Sequence, residues 1–511
     1  SNTQAEDRPE DGIPHSGLEG AIANCDGLIV RSETKVTAEL LDKAPHLQII
    51  GRAGTGYDNI DVEAATLRGI VIENTPDANS NSAAEHTMGL IYTLSRNIPA
   101  ANGAVKSGRW ERSKYVGTEI KGKRIGIIGL GKVGELVAEL GKGNKMEVVF
   151  YDPYTSEQKA RALGLTHLSL NNLLETSDYV TIHVPLTETT KGMIGIEQLT
   201  LMKPTAFLLN VARGGLVDED ALYEALESGK PAGAAFDVFS SEPYKGKLLG
   251  LRNFIATPHL GASTVEAQTR VAEEIVKQFI AYFQRGEIIN GVNISPFSAE
   301  IKHYMGLVER MGYFAGKLLD GPINSVTVRC YGELGQANIS GIATAALVGL
   351  LSEQIESLNL VNAPQIAKRR GIILSEQMST EPIDYRNLIS LEASVNGKEP
   401  VIIKGILYEK KGPRIVGLGG YDVEFEPSGI LLVSSHNDVP GIVGRLGTAL
   451  GNYKVNIGTI DLSRGAKGGK AIAVLSIDSL VPPQAMSEIL DSGGFYNIQQ
   501  ITMPTKLPPR L

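Results

Sequence analysis

The sequence predicts an α/β protein whose first part is doubly wound and whose part after residue 297 is α+β. Strand-like and helix-like patterns alternate from about Asp26 to Phe279, which is typical of sheets covered by helices on both faces. A glycine-rich turn joins a short apolar run to a helical pattern near Gly129. After Pro296 the pattern changes to a helical opening followed by strand-like runs.

The glycine-rich turn has the order that a dinucleotide phosphate site needs. Arg124–Ile128 is a short β-branched run typical of a buried strand, and Glu135–Leu140 continues with helical spacing. Between them, Gly129 permits a tight turn, Gly131 lets the backbone approach a pyrophosphate, and Gly134 lets the helix pack on the strand. The free N–H groups at the start of the helix then face the anion.

A second predicted strand, Met146–Tyr151, ends in Asp152. A carboxylate at this position accepts hydrogen bonds from ribose hydroxyls and repels a 2′-phosphate. The pattern therefore predicts NAD rather than NADP as the cofactor.

Three residues with acid–base or anion-binding chemistry follow further predicted strands. Arg213, Glu242 and His259 come after, or at the end of, the apolar runs 205–211, 232–237 and 255–259. Ligands of open α/β sheets bind at the carboxyl ends of the strands, so the three side chains are expected to meet.

Their chemistry suits hydride transfer to or from a 2-hydroxy acid. We expect His259 to act as the general acid/base, because histidine titrates in the required range. Glu242 would orient its ring and stabilise the imidazolium. Arg213 would hold the substrate carboxylate and polarise the carbonyl.

With these residues the chain resembles the D-isomer-specific 2-hydroxyacid dehydrogenases, in particular their long members. The resemblance covers most of residues 25–297. It rests on the motifs Leu28–Ser32, Gly51–Gly56, Ser82–Glu85, Trp110–Arg112, Asn210–Asp218 and Pro258–Thr264.

The resemblance implies a fuller site around NAD, with no metal. The positions that would surround the cofactor are Thr55, Gly129, Gly131, Lys132, Val133, Gly134, Asp152, Val184, Ala212, Asp237 and Ala262. Those that would meet the phosphate and carboxylate of the substrate are Arg31, Ser32, Arg52, Gly54 and Asn79. Arg112, in the segment 79–120 that resembles a dimer arm, would reach the neighbouring subunit's site.

It also implies four domains: two Rossmann-like lobes, an α+β intervening domain and a ferredoxin-like ACT domain. The substrate-binding lobe would comprise residues 1–75 and 264–297, and the NAD-binding lobe residues 76–263. The intervening domain would span 298–425 and the ACT domain 429–511. Residues 1–20 are polar and contain no strand pattern, although this family normally begins with a strand of the first sheet.

The last 80 residues carry the ACT resemblance. The strand-like run Gly429–Val433 is followed by the Asp438–Gly441 turn, the helical run Ile442–Leu450 and Val455–Ile457. By resemblance, His436, Asp438 and Asn456 would bind serine as a feedback inhibitor. The alternative is that this domain only assembles subunits.

Net charge and cysteine content indicate which binding partners and which cellular compartment to expect. A net charge of −8 argues against nucleic-acid or membrane-surface binding. Two cysteines in 511 residues fit a reducing compartment, so we expect a cytoplasmic protein, or a plastid stromal one if a transit peptide was removed. The resemblance implies a homodimer or homotetramer acting on a small molecule.

The resemblance implies NAD-dependent oxidation of D-3-phosphoglycerate to 3-phosphohydroxypyruvate, the first step of phosphorylated L-serine biosynthesis. One alternative is a glyoxylate or hydroxypyruvate reductase on the same catalytic core. Another is a nicotinamide-sensing scaffold of the corepressor type. Both classes generally lack an extension like residues 298–511, so the first activity is favoured.

Overall fold

A computed structural model describes residues 15–294, 297–336, 338–355, 357–381 and 384–505. The chain forms two compact units. One comprises the segments up to Gly51, 58–73 and from Gln278 onward, and the other comprises 52–57 and 74–277. The finer division into four domains stays a prediction.

The N-terminal part of the first unit contains a three-stranded sheet. Its strands lie in the order β1-β2-β3, and Ile50 and Ile72 are fully buried in its core. The elements are α1 (His15–Ile22), β1 (Gly27–Val30), α2 (Ala38–Asp42), β2 (Ile49–Arg52), α3 (Val62–Leu67) and β3 (Val71–Asn74). Of the N-terminal stretch predicted to hold no strand, residues 1–14 lie outside the described residues and the remainder lies in α1.

The second unit contains a seven-stranded sheet whose neighbouring strands pair in parallel. Its strands are β4 (Arg124–Ile128), β5 (Glu147–Tyr151), β6 (Thr166–His167), β7 (Tyr179–Ile182), β8 (Phe207–Asn210), β9 (Gly233–Phe236) and β10 (Phe254–Ala256). Its helices are α4 (Ser80–Ser95), α5 (Ile98–Lys106), α6 (Lys132–Gly143), α7 (Glu157–Ala162), α8 (Leu170–Thr176), α9 (Ile196–Leu201) and α10 (Glu219–Glu227). Short 3-10 helices span Arg112–Tyr115 and Lys247–Gly250.

The strand order β10-β9-β8-β7-β4-β5-β6 makes this sheet doubly wound. The chain runs outward from β4 to β6 and then returns to β7 on the other side of β4. Ligands of such sheets bind at the carboxyl ends of the strands where the order reverses, here β4 and β7. The predicted glycine-rich turn follows β4 and therefore lies at this point.

A long helix, α11 (Val265–Arg285), leads out of the seven-stranded region toward the α+β part of the chain. There, a six-stranded sheet has the order β12-β11-β13-β14-β15-β16. Its parallel pair is β11 with β12, and its other pairs are antiparallel. The elements are α12 (Ala299–Leu318), β11 (Ile323–Gly332), α13 (Ile342–Leu351), α14 (Ala363–Arg369), β12 (Ile373–Ser379), β13 (Asn387–Val395), β14 (Val401–Tyr408), β15 (Gly412–Leu418) and β16 (Tyr421–Phe425), with a 3-10 helix at Glu333–Gln336.

The C-terminal part is a βαββαβ arrangement with the strand order β18-β19-β17-β20 and antiparallel pairs throughout. Its elements are β17 (Ile430–Asn437), α15 (Ile442–Asn452), β18 (Ile457–Arg464), β19 (Lys470–Ile477), α16 (Pro483–Asp491) and β20 (Phe495–Thr502). This confirms the predicted ferredoxin-like topology, while the ACT identity stays a prediction.

Among the helices that the structure describes, none has the length and apolar character needed to cross a membrane.

Candidate active site

Two glycines of the glycine-rich turn leave no room for a Cβ atom, whereas the third does. Gly129 has φ +94°, and a Cβ atom on it would lie 2.6 Å from the His183 carbonyl oxygen. A Cβ on Gly134 would lie 2.2 Å from the Gly129 carbonyl oxygen, so α6 packs directly on the turn. A Cβ on Gly131 would have no neighbour within 4 Å. The open position is the one where the backbone must admit a pyrophosphate, so the turn fits NAD.

Asp152 is fixed beside this turn. Its Oδ2 accepts a hydrogen bond from the Leu130 N–H at 2.8 Å, and its Oδ1 accepts one from the Tyr154 N–H at 2.8 Å. Gly131 is the N-cap of α6 and brings no side chain to its free N–H groups. The structure thus brings together an anion-binding helix start and the carboxylate predicted to meet the ribose. Lys132 and Val133 form the first turn of that helix.

His259 and Glu242 form the predicted pair. Nδ1 of His259 lies 2.8 Å from Oε2 of Glu242, and both side chains are partly exposed. The other carboxylate oxygen, Oε1, accepts a hydrogen bond from the Phe239 N–H at 3.0 Å. With Nδ1–H donating to the carboxylate, Nε2 is the ring atom left to take a proton from a substrate.

The strand before His259 is shorter than predicted, and the histidine lies in a loop. The predicted run 255–259 is strand only as far as Ala256, the end of β10. His259 has φ +56°, in the left-handed region that few non-glycine residues adopt. Pro258 lacks the N–H that a strand ladder needs, and the loop instead bonds to Asp237.

Asp237 is the buried centre of this loop. It is 1% exposed, its Oδ1 accepts from the Leu260 N–H at 2.8 Å, and its Oδ2 accepts from the Gly261 N–H at 2.7 Å. Burial alone would raise the pKa of Asp237, but these bonds and those from His86 and Thr257 outweigh it and lower the pKa. The resemblance placed Asp237 beside NAD; the structure shows it holding the backbone around His259.

Arg213 stands in a turn after β8. Its Nη1 donates to the Ala212 carbonyl oxygen at 2.6 Å, and its own carbonyl oxygen accepts from Asn210 Nδ2 at 2.8 Å. Asn210 is 1% exposed and its Oδ1 also accepts from the Ala212 N–H at 3.1 Å. The buried amide therefore shapes the turn that carries the guanidinium.

A second arginine belongs to the same compact unit. Nη1 of Arg52 donates to the Ala53 carbonyl oxygen at 2.6 Å, and it lies only 2.0 Å from where a Cβ on Gly54 would be. Thr55 Oγ1 donates to Asn79 Oδ1 at 2.6 Å. The structure therefore clusters four predicted residues, with Gly54 leaving the space that the guanidinium occupies.

The remaining predicted cofactor and substrate positions are spread over several elements. Val184 Cγ1 lies 2.7 Å from the Cβ position of Gly129, and Ala262 lies in the loop after His259. Arg112 is exposed and begins a 3-10 helix. Arg31 and Ser32 belong to the other compact unit, where the Arg31 carbonyl oxygen accepts from Asn59 Nδ2 at 2.9 Å.

The three predicted serine contacts are not all together in one chain. His436 and Asp438 lie at the end of β17, with Asp438 Oδ2 accepting from Arg464 Nη1 and the Gly468 N–H at 2.9 Å each. These two bonds, the Gly468 one foremost, lower the pKa of Asp438. Asn456 precedes β18, whose first residue pairs with Ile477, whereas His436 pairs with Ala471. Ala471 and Ile477 are six residues apart on β19, so His436 and Asn456 are separated by about 20 Å along the sheet.

Sequence reasoning missed His86 and Thr257. Nε2 of His86 lies 3.1 Å from Thr257 Oγ1 and 3.3 Å from Asp237 Oδ1. The only signal was position, since His86 directly follows the motif Ser82–Glu85. In the part of the chain that the structure describes, no group of three or more His, Cys, Asp or Glu side chains could hold a metal ion.

Two family matches cover much of the chain. Residues 88–261 match the family described as "D-isomer specific 2-hydroxyacid dehydrogenase, NAD binding domain". Residues 300–419 match the "D-3-phosphoglycerate dehydrogenase intervening domain". The first match spans the glycine-rich turn, Arg213, Glu242 and His259.

Relatives that match nearly the whole chain show which family it belongs to. A D-3-phosphoglycerate dehydrogenase from Methanocaldococcus jannaschii is 42% identical over 500 residues, covering 96% of this chain and 95% of the relative. One from Bacillus subtilis is 38% identical over 485 residues, covering 94% of this chain and 92% of the relative. The chain belongs to the D-3-phosphoglycerate dehydrogenase family. It is an NAD-dependent oxidoreductase acting on a small molecule, as predicted.

Solved structures match the catalytic part of this dehydrogenase. The TT0316 protein from Thermus thermophilus is 33% identical with a TM-score of 0.51, covering 55% of this chain and 90% of that chain. A glyoxylate reductase from Paecilomyes thermophila is 29% identical with a TM-score of 0.51, covering 54% of this chain and 87% of that chain. Each match leaves nearly half of this chain without a counterpart.

Proposed function

We propose that this dehydrogenase oxidises D-3-phosphoglycerate to 3-phosphohydroxypyruvate with NAD, as the first step of phosphorylated L-serine biosynthesis. The observation that carries the proposal is the presence of two arginines, Arg52 and Arg213, in the compact unit that also holds the His259–Glu242 pair. A substrate with a carboxylate and a phosphate needs more than one cationic anchor. The relatives that match nearly the whole chain carry the name of this activity.

The residues divide the chemistry as follows. Nε2 of His259 accepts the proton of the substrate hydroxyl, and Glu242 stabilises the imidazolium that results. Arg213 holds the carboxylate and polarises the C–O bond that becomes the ketone. Bound NAD supplies the two-electron acceptor for the substrate C–H bond. Gly129, Gly131, Gly134 and Asp152 would hold it.

Arg52 decides between a phosphorylated and an unphosphorylated substrate. We expect Arg52→Ala to lower kcat/KM for 3-phosphohydroxypyruvate about a hundredfold, since a charge-assisted hydrogen bond of about 1.5–3 kcal/mol is lost. Glyoxylate, which has no phosphate, should lose less than threefold. The measurement is NADH consumption with each substrate, and Arg252→Ala, which changes an exposed arginine of the same unit, is the matched control.

Equal losses on the two substrates would refute the phosphate role of Arg52. Turnover of glyoxylate without turnover of 3-phosphohydroxypyruvate by the unmodified enzyme would favour the glyoxylate reductase alternative. An enzyme that binds NADH but turns over neither substrate would favour the scaffold alternative.

The location of the protein in the cytoplasm, or alternatively in the plastid stroma, stays a prediction.

We also propose that serine inhibits the enzyme at a site shared by two copies of the C-terminal domain. His436 and Asp438 would come from one copy and Asn456 from the other, which the separation of about 20 Å within one chain supports. Asp438→Ala and Asn456→Ala should each abolish inhibition by serine.

Mixing the two variants tests the shared site. A mixed dimer of Asp438→Ala and Asn456→Ala subunits holds one intact site, so unfolding and refolding the variants together should restore part of the inhibition. If serine does not inhibit the unmodified enzyme, the domain serves assembly alone. If the mixture stays insensitive, the two residues do not act across subunits.

Segment 98–116 supports an oligomer. Trp110 and Val116 are each 79% exposed, and a cavity of about 620 Å³ is lined by both, with Arg96, Arg109 and Arg112. Apolar side chains this exposed are typical of a contact surface. We propose that a second copy covers them. Trp110→Ala should then dissociate the oligomer in sedimentation experiments.

A further inference from the structure

Helix α4 holds the loop that carries His259 at two points. We define the catalytic loop as Thr257–Thr264. Ser82 Oγ lies 2.8 Å from the Thr264 hydroxyl, and His86 Nε2 lies 3.1 Å from the Thr257 hydroxyl. Ser82 and His86 are four residues apart, so they project from one face of the helix. Both ends of the catalytic loop therefore rest on the same rigid element.

His86 also faces the carboxylate at the centre of the loop. Its Nε2 lies 3.3 Å from Asp237 Oδ1, which also accepts hydrogen bonds from the Thr257 hydroxyl and the Leu260 N–H. Because the Thr257 proton is directed to Asp237, Nε2 of His86 must carry the proton that bonds to both oxygens. Among the residues that the structure describes, His86 is the basic side chain within ion-pairing distance of Asp237.

The geometry at His259 depends on this network. The His259 N–H donates to the Asp237 carbonyl oxygen at 2.9 Å, and the Asp237 carboxylate holds the next two N–H groups of the loop. These bonds maintain a φ of +56° at His259, a conformation that a free loop would leave. That conformation sets the direction from which the ring meets Glu242.

We propose that His86 is a positioning residue for proton transfer. By binding Asp237 and Thr257, it fixes the catalytic loop in the one conformation that presents His259 Nε2 to the substrate and Nδ1 to Glu242. The proposal rests on the proposed function insofar as His259 is the group that takes the hydroxyl proton.

The contribution of His86 is polar rather than one of core packing. Its side chain is 22% exposed and borders a cavity of about 510 Å³, which Gly89, Thr93 and Ile255 also line. Replacing the ring with leucine therefore leaves no buried void but removes the donor to a carboxylate that is 1% exposed. The carboxylate keeps its bonds from Thr257, Leu260 and Gly261 but loses the one that ties it to α4. Losing a charge-assisted bond to a buried carboxylate favours a rearranged loop.

Three variants separate positioning from structure. In His86→Leu we expect kcat to fall about thirtyfold. The KM for NAD should change less than twofold, because the lost bonds go to Thr257 and Asp237 and none goes to the glycine-rich turn. His86→Gln keeps an N–H donor at similar reach and should recover kcat to within threefold of the unmodified enzyme. Thr93→Val changes the same helix and the same cavity without touching the loop, and should leave both constants unchanged.

A spectroscopic signature tests the proposal without any substrate. In enzyme labelled at its histidine rings, we expect the His259 ring resonances to shift and broaden in His86→Leu and to stay in place in His86→Gln and Thr93→Val. These resonances are measured without substrate, so they test the role of His86 even if the proposed substrate is wrong. If His86→Leu does not fold, His86→Asn replaces it, since its shorter amide does not reach Thr257.

Unchanged kcat and unchanged His259 resonances in His86→Leu would overturn the proposal. A loss of kcat that His86→Gln does not recover would also overturn it, because a donor would then not be what matters. A parallel loss in Thr93→Val would assign the effect to the cavity rather than to the network.

Discussion

Gly214 approaches Phe239 so closely that a Cβ atom on it would lie 1.9 Å from the Phe239 carbonyl oxygen. Gly214 directly follows Arg213, and the Phe239 N–H donates to Glu242. This one contact therefore joins the turn that carries the substrate anchor to the loop that carries the partner of His259. The relative placement of Arg213 and Glu242 depends on the missing side chain.

Substituting this glycine should separate the two loops. In Gly214→Ala the methyl group must push the Phe239 backbone away by an ångström or more, and misplacement on that scale costs about a hundredfold in rate. We expect kcat to fall by about that factor while NADH still binds. The measurement is steady-state kinetics together with NADH fluorescence. Gly250→Ala, where a Cβ meets nothing within 4 Å, is the control, and an unchanged kcat in Gly214→Ala would contradict the argument.

The His259–Glu242 pair predicts unequal losses. His259→Asn removes the proton acceptor and should lower kcat about a thousandfold, within the usual range for general base catalysis. Glu242→Gln keeps the shape but removes the charge that stabilises the imidazolium, and should lower kcat about a hundredfold. The double variant should be no slower than His259→Asn alone, because Glu242 acts through the ring. Losses that multiply in the double variant would show that Glu242 has a separate role.

The conformation of the glycine-rich turn could be predicted from the sequence because its signals are local. The run Arg124–Ile128 coincides with β4, and the glycines of the turn have the conformations and contacts that their spacing implied. Three glycines, a strand and a helix lie within one short segment, so local propensity and final structure agree. The same holds for Asp152, one strand further on.

The catalytic loop was less accessible from sequence because its conformation is set by distant partners. The positive φ of His259 and the early end of β10 follow from bonds to Asp237, which no local pattern announces. His86 sits on a helix, where a lone histidine carries no signal for a partner so far along the chain. The separation of His436 from Asn456 likewise depends on the register of β17 and β18 against β19.

The open and closed glycines predict opposite effects of the same substitution. Gly131→Ala places a methyl group where the structure has no neighbour within 4 Å, so we expect unchanged thermal stability. That methyl group would occupy the approach of the pyrophosphate, and the Kd for NADH should rise tenfold or more. Gly134→Ala puts a Cβ 2.2 Å from a carbonyl oxygen and should destabilise the fold by about 1–3 kcal/mol.

Calorimetry and NADH titration distinguish these outcomes. Gly143→Ala, at the end of the same helix and with nothing within 4 Å of its Cβ, is the control and should change neither quantity. A Gly131→Ala variant that binds NADH normally would argue against the pyrophosphate position. A Gly131→Ala variant with a lower melting temperature than the unmodified enzyme would show that Gly131 is needed for folding instead.

His183 predicts a loss of stability on mild acidification. Burial lowers the pKa of His183 from 6.5 to about 4, and its Nε2 lies 2.9 Å from the Thr181 hydroxyl. The folded chain keeps the ring neutral while the unfolded chain protonates it, so this group favours unfolding progressively as the pH falls from about 6.5 to about 4. Its full contribution over that interval is about 3 kcal/mol. His183→Gln retains a partner for Thr181 and has no proton to gain. The urea midpoint of the unmodified enzyme should therefore drop relative to that of His183→Gln between pH 7 and pH 4, whereas parallel curves would mean that the ring is protonated in the folded enzyme.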